Sequence, residues 1–154
     1  MSKKISWQIL IDLADKEVDQ SVEALAGAVN TQEEAENKLT MLEKFYDDYL
    51  VAHSRSARNG LTAEEMKNQQ LFMERLNAAI TQQKKYVTTC ALRAEGRRTE
   101  WQGSYMKLKS YGVLSKRLET QEAKQAVKQE QRLLDEFSTR KFSVNINSNI
   151  SNKD

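Results

Sequence analysis

The sequence predicts an all-α fold, a two-helix antiparallel coiled-coil hairpin with an overhanging C-terminal helix. Three observations predict it. In 154 residues there is no proline and there are only five glycines, so few positions break a helix. Only 39% of residues are apolar while 30% are charged, and the mean hydropathy is -0.73. That is little for a rounded core, whereas a coiled-coil seam needs only about two apolar residues in seven. The apolar residues that are present recur at alternating spacings of three and four over two long stretches, with one small polar interruption between them.

The first stretch runs from Lys4 to Tyr49. A seven-residue frame places Ile11, Val18, Leu25, Leu39 and Tyr46 at one seam position and Trp7, Ala14, Ala28, Ala35, Leu42 and Tyr49 at the other. Lys4, Ser21 and Gln32 are the polar exceptions. The segment from His53 to Gly60 is small and polar and ends in Asn59-Gly60, a strong turn pair because both residues tolerate positive φ. The turn is therefore expected near 53–61. Thr62 followed by Glu65 is a capping box, in which the hydroxyl and the carboxylate each accept from a backbone N–H that the first helical turn leaves free.

The second stretch continues the frame with Met66, Met73, Ile80, Val87, Ala94, Trp101 and Leu108 at one position and Leu76, Cys90, Tyr111 and Leu118 at the other. Gly96, Gly103 and Gly112 each weaken the helix interior by about 1 kcal/mol relative to alanine, which makes the region around Trp101 its softest part. After Leu118 the stripe shifts and thins through Ala123, Val127, Leu134 and Phe137. Residues 1–142 thus form the expected hairpin domain, and the Asn/Ser-rich residues 143–154 an expected disordered tail.

A register follows if the chain folds back about Ala57 and Arg58. Leu42 then faces Met73, Leu39 faces Leu76, Ala35 faces Ile80, and the two seam glutamines Gln32 and Gln83 meet. A polar pair in an apolar seam is a common device for fixing register. The pairing runs out at Lys4 opposite Tyr111, so the residues beyond have no partner within the chain.

Charge and chemistry narrow the function. Lys and Arg number 24 against 22 Asp and Glu, a net charge of +2 with the signs interleaved, which describes a solvated helix surface and not a nucleic-acid footprint. In the basic group Arg93, Arg97 and Arg98, the neighbours Glu95 and Glu100 dilute the charge. A single Cys90 forms no internal disulfide, and its seam position marks a small hydrophobe. The lone His53 reads as a solvated cation at the end of the first helix. No glycine-rich phosphate loop and no Cys/His pair at metal spacing occurs, so neither a cofactor, a metal nor an enzymatic activity is expected. No secretion leader or membrane span is legible, and a soluble, cytoplasmic protein without direct membrane insertion is expected.

One feature exceeds what a seam requires. Phe45 and Phe72 flank the seam on the same side, and the derived register lets them meet near the turn. Ala79 and Tyr86 extend that flank, where Glu or Lys ordinarily sits. A contiguous apolar flank of this kind reads as a partner surface.

Several segments together resemble one family. They are Leu13 to Asp19; Ala35-Glu36 through Leu39, Met41, Leu42 and Tyr49; Asn59-Gly60 with Asn68, Gln70, Phe72, Leu76, Ala79, Ile80 and Gln82; and Asp135-Glu136-Phe137. In their order and spacing, over about residues 5–140, they are similar to FliJ, the stalk protein of the flagellar type III export apparatus. The resemblance implies a two-helix antiparallel coiled coil that inserts into a hexameric export ATPase and promotes its ring assembly. It also implies binding to the cytoplasmic domain of the export-gate membrane protein and to export chaperones, at a cytoplasmic position peripheral to the inner-membrane apparatus. The gate-binding surface it implies maps to Leu42, Phe45, Tyr49, Phe72, Leu76 and Ala79. Lys38 and Gln83 depart from the family pattern, which has Gln and His there. The equivalent stalk of a virulence-type injectisome shares these implications. A dimeric coiled-coil scaffold, with the turn replaced by continuous helix, is the reading from a different class.

Overall fold

The computed structural model describes residues 2–152; Met1, Lys153 and Asp154 lie outside the described residues. Two helices account for the described chain, α1 from Ser2 to Asn59 and α2 from Ala63 to Ser151. Contacts divide the chain into two units, one of Asp12–Leu108 and one that joins Met1–Ile11 to Lys109–Asp154. Both helices contribute to each unit.

In the unit Asp12–Leu108 the helices pack as an antiparallel hairpin. Three tight residues join them. α1 ends at Asn59, and Gly60 takes a φ of 86°, the left-handed conformation that closes a helix and that glycine adopts without steric penalty. The capping box is formed: the Glu65 N–H donates to Thr62 Oγ1 at 3.2 Å, and the Thr62 N–H donates to Glu65 Oε2 at 3.3 Å. The Met66 N–H adds a bond to the Thr62 carbonyl at 3.0 Å. A turn near 53–61 is thereby shortened to residues 60–62. Residues 53–59 contain neither glycine nor proline, and His53 and Ser56 continue the seam frame half-buried, so contacts with α2 carry α1 forward to the first true breaker.

The later turn moves the register. His53 Nδ1–H donates to Gln69 Oε1, and Gln83 Nε2 donates to the Ala35 carbonyl at 3.0 Å. Ser21 Oγ lies 3.1 Å from Ser104 Oγ, and Lys107 Nζ pairs with Glu17 at 3.4 Å. These contacts centre on about residue 61, not on Ala57 and Arg58, a shift in facing partners of about one heptad. Leu42 therefore does not face Met73, and the glutamine pair is not made: Gln32 donates to Glu36 on its own helix while Gln83 reaches the Ala35 backbone. A displacement of one whole heptad leaves every side chain on its expected face. The structure accordingly buries the expected frame, with Ala14, Ala35, Ile80, Cys90 and Ala94 as its most enclosed residues. Four of these five side chains are small, which lets the two backbones approach closely. His53 lies part-buried between the helices, hydrogen-bonded to Gln69, and not at the solvated end of α1.

In the second unit Trp7 meets Tyr111 edge to face, with ring centroids 6.0 Å apart at 73°. Half-burial in α2 persists through Ser115 and Leu118, one heptad past the point where the sequence-derived pairing ends at Tyr111. From Glu119 to Asn152 every described residue is exposed. α2 carries 143–151 as helix, with Ser148 and Ser151 donating to the carbonyls of Asn145 and Asn147, where the Asn/Ser composition favours disorder.

Candidate functional site

The flank proposed as a partner surface lies wholly in the hairpin unit Asp12–Leu108. Leu42, Tyr49 and Leu76 are seam residues, half-buried because each is wedged between the helices. Phe45, Phe72 and Ala79 each directly precede a seam residue, namely Tyr46, Met73 and Ile80, so all three stand on one edge of the interface. Phe45 is 59% exposed and Phe72 45%, which leaves much of each ring on the surface.

The one-heptad shift changes who meets whom. Glu17 and Lys107 occupy the same kind of edge position, and their 3.4 Å ion pair shows which edge residues lie opposite each other. Four heptads along α1 from Glu17 leads to Phe45, and four heptads back along α2 from Lys107 leads to Ala79. Phe45 thus stands across from Ala79 and does not meet Phe72. Phe72 packs instead on Tyr49, with ring centroids 4.6 Å apart and the planes tilted by 38°. A large ring opposite a small methyl, next to the Tyr49–Phe72 pair, makes a shallow apolar ledge in place of a stacked phenylalanine pair.

One further residue of the ledge lies outside the flank that the sequence frame marks. Met41, one helical turn before Phe45, adds exposed apolar surface. Tyr86, one heptad beyond Ala79, stands half exposed on the flank where the sequence places it, and hydrogen bonding to the Cys90 side chain is the chief cause that pushes its phenol up from the ordinary tyrosine value. Spacing alone places residues 86 and 90 on one helix face, a signal the sequence does carry.

One stretch of the hairpin interface is polar. Ser21 and Ser104 replace apolar seam residues and border an open groove of about 580 Å³ that also reaches Arg97, Glu100 and Gly103. Its charges are engaged: Lys107 with Glu17, and Arg97 with Glu100 at 3.0 Å. Arg98 likewise pairs with Glu95 at 2.8 Å, so two of the three arginines of the basic cluster are paired along their own helix. Cys90 is buried and free. Among the described residues no group of His, Cys, Asp or Glu is placed to hold a metal ion, and no helix is long and apolar enough to cross a membrane.

The model of the flagellar FliJ protein family matches residues 3–147, which takes in the hairpin, the aromatic ledge and most of the exposed part of α2. The chain belongs to the FliJ family. It is similar to the flagellar FliJ protein of Escherichia coli K12, 26% identical over 131 residues that cover 85% of this chain and 89% of the relative. It is also similar to the flagellar FliJ protein of Salmonella typhi, 25% identical over 140 residues that cover 91% and 95% respectively. No solved structure matches. As a FliJ-family member the chain is a flagellar export-associated protein, and its long helical hairpin has the coiled-coil seam expected of the family.

Proposed function

We propose that the chain is a non-enzymatic stalk and adaptor of the flagellar type III export apparatus. In this role it inserts into the hexameric export ATPase, promotes assembly of the ATPase ring, and links the ring to the export gate and to substrate chaperones. The family match across residues 3–147 carries the reading. Two features of the chain support the division of labour. The exposed α2 segment after Leu118 is free to enter or brace a ring, and the ledge formed by Phe45, Tyr49, Phe72 and Ala79, with Leu42 and Leu76 beneath it, suits a partner that brings its own apolar anchors. The partner assigned to the ledge is the cytoplasmic domain of the export-gate membrane protein, which places the chain in the cytoplasm, peripheral to the inner membrane. Both relatives are flagellar proteins, which favours this system over the injectisome stalk.

The test uses the full chain with its two protein partners. The chain alone hydrolyses no ATP and raises turnover by the export ATPase at ATPase concentrations where the ring is only partly assembled. The double substitution Phe45→Ala with Phe72→Ala weakens binding to the gate domain by 2 kcal/mol or more if the ledge is a hot spot, the usual threshold of about 2 kcal/mol. The half-exposed rings lose less in stability than the ~3–5 kcal/mol each of a fully buried phenylalanine. Unchanged gate binding with normal melting removes the ledge from the mechanism, and no effect on the ATPase removes the stalk reading.

A further inference from the structure

The second unit leaves one face of α2 uncovered whose pattern is self-complementary. Val127, Glu130, Leu134, Phe137, Lys141 and Val144 follow one another at alternating spacings of three and four, which aligns them along one side of the helix. Val127 and Leu134 are each 61% exposed, and Phe137 and Val144 each 66%. Among the described residues no ion pair forms at Glu130 or Lys141, the two charged members of an otherwise apolar stripe.

The stripe is arranged symmetrically about the midpoint between Asp135 and Glu136. We propose that it is a dimer face, on which a second copy of this chain packs antiparallel along residues 127–144. In that arrangement Val127 faces Val144 of the second copy and Leu134 faces its Phe137. Glu130 of each copy meets Lys141 of the other, so one two-fold operation forms two opposite-charge pairs and leaves no seam charge unmatched. Along the edge Leu133 lies beside Arg140 of the other copy, whose aliphatic stem can cover it. A parallel dimer sets Glu130 on Glu130 and Lys141 on Lys141, and the repulsion excludes it. Charged residues within a seam choose partner and direction in this way, and here the choice made is the chain itself. The proposal does not depend on the export reading.

The full-length chain is followed by sedimentation or light scattering across a dilution series, with helicity recorded for every variant. The wild type shows a reversible monomer–dimer equilibrium. Glu130→Lys and Lys141→Glu each place like charges in both seam pairs, so each variant alone dimerises about tenfold more weakly or worse. Mixing the two variants, or combining both substitutions in one chain, restores opposite charges and with them the dimer. A wild type that stays monomeric at every concentration overturns the proposal, as does a dimer indifferent to the charge swaps, which must use another face. A stripe that binds a partner of different composition gives a monomer in this experiment and is counted against the proposal.

Discussion

Two parts of the same helix make an instructive pair. In the hairpin unit, α2 buries Ile80, Cys90 and Ala94 against α1, whereas from Glu119 onward it exposes Val127, Leu134 and Phe137 although their spacing is just as periodic. The periodicity creates a face in both places. Only in the first does the chain supply a second helix to cover it. Apolar spacing therefore specifies which side of a helix can be buried, while burial itself depends on what else is within reach.

The sharpest way to break this comparison tests the register that pairs the covered half. With Cys90→Ala removing the native thiol, cysteines replacing His53 and Gln69 are expected to crosslink within one chain, since the native side chains are hydrogen-bonded. Cysteines replacing Leu39 and Leu76 stand about one heptad out of register and should not. Efficient crosslinking of the second pair, seen on a non-reducing gel, reverses the assignment.

Substitutions then grade the contrast in energy. Ile80→Ala removes a buried side chain from the covered half and should cost about 2–5 kcal/mol in urea unfolding followed by circular dichroism. Gly60→Ala forces a Cβ into the left-handed region at the turn and should cost about 1–2 kcal/mol, with no clash contributing because nothing lies near the added atom. Thr62→Ala deletes one half of the capping box at about 1 kcal/mol. Leu134→Ala, on the uncovered half, should stay within about 0.5 kcal/mol in the dilute chain, because the side chain is already in water. A Leu134→Ala cost equal to that of Ile80→Ala would show that both halves are covered and erase the distinction.

Much of the candidate site was legible in the sequence, and the part that was not has a definite cause. The edge position of Phe45, Phe72 and Ala79 follows from the seam frame and holds in the structure. Their partners do not follow from it: Phe72 stacks on Tyr49, and Phe45 stands opposite Ala79. The place of His53 has the same cause, because a fold about Ala57 and Arg58 sets it opposite Thr62 and away from the Gln69 that binds it.

The sequence by itself determined that the chain is helical, which face of each helix is apolar, and where the second helix begins. Absence of proline, a seven-residue period and a capping box are local properties, and local physics is enough to read them. Only the tertiary structure decided how far the first helix runs and hence which heptad meets which. Residues 53–59 are poor but permitted helix formers, and contacts such as His53 with Gln69 and Tyr49 with Phe72 tip them into α1. Two registers one heptad apart present the same faces to each other, so the pattern of apolar residues does not distinguish them. Side-chain fit across the seam, together with a glycine that alone accepts the closing φ of 86°, selects one.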